Sequence, residues 1–156
     1  MPAFARLRNW LTGLRWLSVT WTRVHVRLLR WSKGRLRFGF LFGGDMPVLA
    51  LTTTGRKSGE RRTTVAAYLR HGDSYAVVAS NAGSDRAPAW WLNLRADPNG
   101  EIDAAGERLV VRARLVEGDE REQLWQRFVE ANDSYARYSK YTARELPVIA
   151  LEPRQP

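Results

Sequence analysis

Residues 47–70 read PVLALTTTGRKSGERRTTVAAYLR, two β-prone stretches on either side of a charged, glycine-bearing one. Pro47 to Thr54 is rich in β-branched and apolar residues and ends at Gly55, as a strand does. RRTTVAAYLR, 61–70, alternates moderately and reads as its hairpin partner, with KSGE as the turn between them. Working outward, HGD at 71–73 is a second turn and SYAVVAS a third strand. NAGSDRAP is loop. AWWLNLRADP reads as one or two helical turns stopped before Pro98. GEIDAAGERLVVRARLVE gives two more strands around Ala105-Gly106. A helix should follow, capped by Asp119 with Glu122 three residues on. DSYARYSKYTAR reads as a second helix capped by Asp133 or Ser134, and LPVIALEP as a last strand. Hairpin-joined strands followed by helices predict an α+β barrel or sandwich of about six short strands.

The chain has 156 residues, enough for one domain plus an appendage. It holds no cysteine, which excludes disulfides and thiolate metal sites and fits a reducing compartment. His25 and His71 are its only imidazoles, so a histidine-rich metal centre is excluded and no metal site is expected. The net charge of +9 is placed unevenly. Before Asp45 there is no acidic residue, while Arg6, Arg8, Arg15, Arg23, Arg27, Arg30, Lys33, Arg35 and Arg37 are all basic. The body from Asp45 onward is neutral overall.

In the basic segment, Trp10, Leu14, Leu17, Trp21, Val24, Leu28 and Trp31 step by four and three. On a helix they form one apolar stripe, with most of the arginines opposite. Arg6, Trp16, Val19 and Val26 break the pattern. Such a face suits an anionic membrane headgroup region, and equally suits packing on the body or against a second subunit. Nucleic acid is not expected as a partner, because the body carries no nucleic-acid motif. Arginines interrupt the apolar residues too often for a transmembrane helix or a secretory signal. The expected organisation is an N-terminal amphipathic helical arm at 1–37 and a folded domain at 38–156. The expected localisation is cytoplasmic, at the inner face of the plasma membrane if the arm binds lipid.

Three stretches carry candidate chemistry. In the first, Arg56, Lys57, Arg61 and Arg62 flank Ser58, and Gly55 and Gly59 allow backbone amides to turn inward. Such a turn can hold a phosphate or carboxylate, or be a solvated charged turn. It is not a P-loop, whose glycine spacing is absent. In the second, VVASNAGSDRAPAWWLN, small residues allow a planar ligand near the backbone. Trp90 and Trp91 can wall a pocket or fill the core. In the third, Tyr135, Tyr138 and Tyr141 recur every third residue, so the row drifts slowly round a helix. They can line a polar-aromatic pocket as neutral donors or sit at the core edge. No Ser/His/Asp set and no carboxylate pair stands out, so an enzyme built on this chain would use a bound cofactor.

MPVLALTTTGRKSGERRTT, YAVVASNAGSDRAPAWWLNLRADP and the tyrosine segment before LPVIALEP stand in a familiar order. Over roughly Val24 to Pro153 the chain resembles the deazaflavin (coenzyme F420)-dependent nitroreductases of actinobacteria, within the FMN-binding split-barrel superfamily. The resemblance implies an α+β split β-barrel with mainly antiparallel strands and flanking helices, often as a homodimer. It implies coenzyme F420 as cofactor, with FMN as the alternative. It matches Arg56, Lys57, Ser58 and Arg62 to the stretch that holds the cofactor's phosphate and acidic tail, and makes the adjoining Thr63, Thr64, Val65, Ala66 and Ala67 cofactor-binding candidates as well. Val78, Ala79, Ser80, Asn81, Ala82 and Gly83 match the loop near the ring system. Ala89, Trp90, Trp91, Leu92 and Asn93 match the segment closing the groove.

Tyr135, Tyr138 and Tyr141 match tyrosines bordering the substrate pocket and, with Ser80, are the catalytic candidates. The implied reaction passes a hydride from reduced F420 to a quinone, enone or nitroaromatic acceptor. The competing reading is a non-catalytic split-barrel protein that binds the cofactor or a fatty acid. Asn81 stands where some members carry lysine, and Ala67 where some carry tyrosine.

Overall fold

The computed structural model describes residues 46–154. The N-terminal arm, the start of the following domain and the arm's amphipathic pattern lie outside these residues. Six strands are formed: β1 (Val48–Thr54), β2 (Arg61–His71), β3 (Ser74–Val78), β4 (Asn99–Ala104), β5 (Glu107–Leu115) and β6 (Val148–Pro153). Three α-helices accompany them: α1 (Ala89–Ala96), α2 (Gly118–Ala131) and α3 (Ser134–Tyr141). The strands close into a barrel in the order β1-β2-β3-β6-β5-β4, and every pairing is antiparallel. This is the α+β barrel that the hairpin pattern predicts.

Period-two alternation fills the barrel. Leu49 and Leu51, Tyr75 and Val77, Ile102 and Ala104, and Ile149 and Leu151 all point into one core, with Val111 from β5. Trp91 and Leu94 of α1 join this core and plug one end. A second cluster lies outside the barrel wall. There Ala76 and Val78 of β3 and Val148 and Ala150 of β6 meet Leu124, Phe128 and Tyr135 of α2 and α3. Both faces of β3 and β6 are therefore buried, which explains why YAVV and VIAL are apolar runs rather than alternating ones.

The hairpins follow their turn chemistry. Ala105 and Gly106, at φ of 54° and 88°, join β4 to β5 as a two-residue turn. The caps depart from expectation. α2 begins two residues earlier than the Asp119 cap predicts, at Gly118, with Glu117 before it and no side-chain cap bond. Asp133 precedes α3 but makes no cap bond either, and the Asn132 Oδ1 accepts from the Ser134 amide at 2.9 Å instead. Gly118 has φ of 59°, a conformation that turns the chain into the helix without a capping side chain.

The barrel wall is irregular at one place. β2 pairs with β1 through Arg61–Ala67 but with β3 only through Tyr68–His71. Beyond Tyr68 the two strands part. The edge of residues 61–67 that faces away from β1 has no strand beside it, and alternate backbone groups along it lack ladder partners.

Candidate functional site

The parting of β2 from β3 opens a groove of about 1000 Å³. Its wall on one side is Thr63, Thr64, Val65, Ala66 and Ala67 of β2. Opposite stand Val78, Ser80, Asn81 and Ala82, where the chain leaves β3. Ala89, Trp90 and Asn93 of α1 close one side, and Asn132, Tyr135 and Tyr138 line another. Gly55, Arg56, Lys57, Ser58 and Arg62 form a basic stretch of the lining. Three segments far apart in sequence thus share one cleft.

The turn after β1 is held from within. The Gly55 amide donates to Glu60 O at 2.7 Å, and the Ser58 and Gly59 amides donate to Gly55 O at 3.2 and 2.7 Å. A Cβ on Gly55 would lie 2.8 Å from Ser58 Oγ and 3.2 Å from Glu60 O, so a larger residue would have to move the Ser58 hydroxyl and press on the turn's backbone. The Arg56 amide donates to Asn93 Oδ1 at 3.1 Å. Asn93 in turn is buried and donates from Nδ2 to Thr53 Oγ1 at 3.1 Å. One buried amide side chain therefore ties β1, the basic turn and α1 together. This corrects one expectation: most of the turn's amides are already used, so an anion here would meet side chains rather than a backbone cradle.

The cations of the turn differ in availability. Among the described residues, the Arg56 and Lys57 side chains have no acidic partner, and both are exposed. Arg62 is paired with Glu60 at 2.5 Å. Arg61 is engaged away from the groove, with Glu101 at 2.6 Å, and does not line it.

Across the cleft, the loop after β3 makes a 3-10 turn at Asn81–Gly83. Asn81 and Ala82 have φ of 45° and 52°, unusual for residues with a side chain. Asn81 Nδ2 donates to Arg86 O at 2.8 Å, so its side chain staples the loop rather than presenting a charge to the cleft. Gly83, at φ 76°, is pressed on α3. A Cβ there would lie 3.1 Å from both Cα and O of Tyr138.

The tyrosine row divides as its drift predicts. Tyr135 is buried, packs edge-on to Phe128, Trp125 and Tyr138, and lines the cleft. Burial, with the neighbouring Tyr138 adding to it, pushes its hydroxyl up to about 12. It is therefore a protonated donor throughout the neutral range. Tyr138 is half-buried and also lines the cleft. Tyr141 is 66% exposed and does not.

Other expected residues fall behind the walls. Ala79 is fully buried in the barrel core, Trp91 plugs that core, and Gly83 and Leu92 do not line the cleft. Their neighbours Ser80, Trp90 and Ala82 face it instead, because a helix or strand turns adjacent residues to different sides. Sequence reading missed Thr53, Arg86, Ala87, Pro88 and Asn132, all of which line the cleft. Arg86 was legible only as one charge in a loop, and Asn132 as the residue before a helix. Among the described residues, no cluster of histidine and acidic groups could hold a metal ion.

A large, elongated ligand with an anionic end and a flat polar body fits this donor set. In the turn, Arg56 and Lys57, without an acidic partner among the described residues, stand with the hydroxyl-bearing Ser58 and Thr63, a donor set suited to an anion. Small side chains at 65–67 and 80–82, and the unpaired strand edge beside them, admit a planar ring with hydrogen-bonding edges. F420 has this build, and so does FMN in shorter form.

Known proteins narrow the choice. The profile described as F420H(2)-dependent quinone reductase matches residues 21–153. An F420H(2)-dependent quinone reductase of Mycobacterium tuberculosis (strain H37Rv) is 37% identical over 151 residues, 95% of this chain and 99% of that protein. Among solved structures, an F420-H2 dependent reductase (FDR-A) is 37% identical with a TM-score of 0.63, covering 68% of this chain and 94% of its own. A structure titled as a domain-swapped dimer is 34% identical with a TM-score of 0.64, covering 86% and 99%. The heme storage protein HutZ of Vibrio cholerae shares the fold alone, at 16% identity and a TM-score of 0.54. On the profile match and the near full-length relatives, this chain belongs to the F420H(2)-dependent quinone reductase family.

Proposed function

We propose that the cleft between β2 and the loop after β3 seats F420H2 and a quinone together, and that the chain catalyses reduction of the quinone. Arg56 and Lys57, with Ser58 and Arg62 beside them, hold the cofactor's phosphate and acidic tail. Val65–Ala67 and Ser80–Ala82 flank its ring system, and Trp90 covers it. When bound, the cofactor supplies a hydride to the acceptor. Everything else falls to the protein. The cleft brings two partners into contact that would otherwise meet by diffusion. Tyr135 and Tyr138 line the same cleft, and on this reading their hydroxyls donate hydrogen bonds to the acceptor's oxygens. Such donors stabilise negative charge as it grows on those oxygens. Tyr138, less buried than Tyr135, is the better placed to exchange a proton with solvent through its Oη.

One observation carries this reading. The basic turn, the small-residue loop and two tyrosines line a single cleft, although the chain separates them by tens of residues. The test is a titration with F420 and with FMN, followed by anaerobic oxidation of F420H2 by menadione. Preference for F420 with turnover is expected. Tighter binding of FMN, or F420 binding without turnover of any quinone, would contradict it.

The basic arm supports a second, separate proposal. Nine cations without one carboxylate before Asp45 suit an anionic bilayer surface, where a membrane quinone would be met. On this reading the protein works at the cytoplasmic face of the plasma membrane. Co-sedimentation with anionic but not neutral liposomes is expected. Assembly as a homodimer is the further expectation, favoured by the relative whose structure is titled a domain-swapped dimer. Sedimentation at micromolar concentration tests it.

A further inference from the structure

Arg144 follows α3 and does not line the cleft, yet its guanidinium is spent on the loop that does. Nε donates to Ser84 O at 2.8 Å. Nη1 donates to Ala79 O at 3.0 Å and to Glu145 O at 3.3 Å. Nη2 donates to Ser80 O at 2.7 Å. Among the described residues no carboxylate pairs with it, so its donors go to carbonyls, three of them in the segment Ala79–Ser84. The contact is reinforced on either side. Thr142 Oγ1 donates to Asp85 Oδ1 at 2.8 Å, and Gly83 sits against the Tyr138 backbone.

An arginine spreads five donors over three nitrogens in a planar fork; a lysine, with three donors on one atom, cannot reproduce that spread. The consequence for the loop comes from peptide geometry. In a trans peptide the N–H points opposite to the carbonyl that precedes it. Fixing the carbonyls of Ala79 and Ser80 on the guanidinium therefore turns the N–H groups of Ser80 and Asn81 away from it. Ser80 has φ −75° and ψ −37°, and Asn81 has φ 45°. A right-handed residue followed by a left-handed one draws successive N–H groups into a single concavity. Neither the Ser80 nor the Asn81 amide has a hydrogen-bond partner among the described residues, and both residues line the cleft. The positive φ values at Asn81 and Ala82 are unfavourable for side-chain-bearing residues and persist only when something outside holds them.

We infer that Arg144 is a positioning residue for the reaction. It clamps the Ala79–Ser84 carbonyls and so presents the Ser80 and Asn81 amides to the bound partners, touching neither cofactor nor acceptor itself. This rests on the cleft being the F420 and quinone site.

The test uses the full chain with Arg144→Ala and Arg144→Lys. In cofactor-free protein, hydrogen exchange in peptides covering 79–86 should rise about fivefold or more in both variants, with the barrel strands unaltered. In turnover with F420H2 and menadione, kcat should fall by about tenfold, while KM for F420H2 shifts by less than about threefold, because the basic turn is intact. Added guanidinium should restore part of kcat to Arg144→Ala. Unaltered exchange at 79–86 in both variants would overturn the clamp. Faster exchange with unaltered kcat would overturn the positioning role, and so would exchange rising equally across the whole barrel. Failure of the unsubstituted protein to oxidise F420H2 would instead overturn the functional reading, and exchange at 79–86 would still judge the clamp by itself.

Discussion

At the scale of single residues, the basic turn holds cations of two kinds. Among the described residues Arg56 and Lys57 have no acidic partner, while Arg62 is held by Glu60. An ionic ligand gains most from a charge that has no partner to give up. Replacing Lys57 by Ala should weaken F420 about tenfold, and Arg56→Ala similarly, since charge-assisted bonds contribute about 1.5–3 kcal/mol. Both effects should shrink as salt is raised from about 50 to about 500 mM, roughly as screening predicts. Glu60→Gln should do the opposite and tighten F420 by about two- to threefold, because it releases Arg62. Fluorescence titration reads all three. Tyr138→Phe removes a donor from the cleft wall while keeping its ring. It should lower kcat by about tenfold or more, with little change in F420 affinity, in stopped-flow oxidation of F420H2.

Among the elements, the loop after β3 is packed on α3 at Gly83. A methyl group at this position would press on the Tyr138 backbone at 3.1 Å, and φ of 76° is itself unfavourable for alanine. Gly83→Ala should destabilise the protein by about 1–3 kcal/mol. Because the same contact sets the loop beside the cleft, turnover should fall further than the loss of folded protein explains. Thermal melts and kcat measured on the same sample separate the two. A second junction joins the barrel to α2. Arg114 binds Glu120 through both Nη atoms, at 3.0 and 2.9 Å, and Glu152 through Nε, and His71 Nε2 lies 3.0 Å from Glu120. These bonds, Arg114 first, lower the Glu120 carboxyl to about 2. A carboxylate with a lowered folded-state value stabilises above its unfolded value and loses that contribution as pH falls through the folded one. Stability should therefore decline from about pH 4.5 towards pH 2, and Glu120→Gln should flatten this part of a melting curve against pH.

The elements also show what was legible in the sequence. All six strands and three helices could be read from alternation, turn residues and apolar periodicity, because each is locally encoded. The start of α2 was not, since Gly118 enters it by backbone conformation alone, whereas Asp133 does stand at the cap position of α3, without a side-chain cap bond. Within the site, residue types were legible but facing was not. Trp90 and Trp91 look equivalent in sequence, yet one lines the cleft and the other plugs the barrel. Tyr141 continues a row whose drift of about 60° per step carries it out to solvent. Arg86, Asn132 and Arg144 carried no signal, because their roles depend on contacts between segments distant in the chain.

For the whole molecule, the barrel supplies a rigid frame with one gap, where β2 runs on beyond its pairing with β3. The cleft follows from that gap, and its chemistry from the turn, the loop and α3 that surround it. The arm adds charge that the cleft does not need. Deleting residues 1–37 should abolish binding to anionic vesicles and leave F420 affinity within about twofold, which co-sedimentation and titration would show together. On the proposed function, the cleft seats F420 with its anionic end on the basic turn. This is tested most directly by F420 affinity in the Arg56→Ala, Lys57→Ala double variant, with folding checked by circular dichroism. The expected result is a loss on the order of 100-fold at low salt in a folded protein. A folded double variant that binds F420 as tightly as the unsubstituted chain would contradict it.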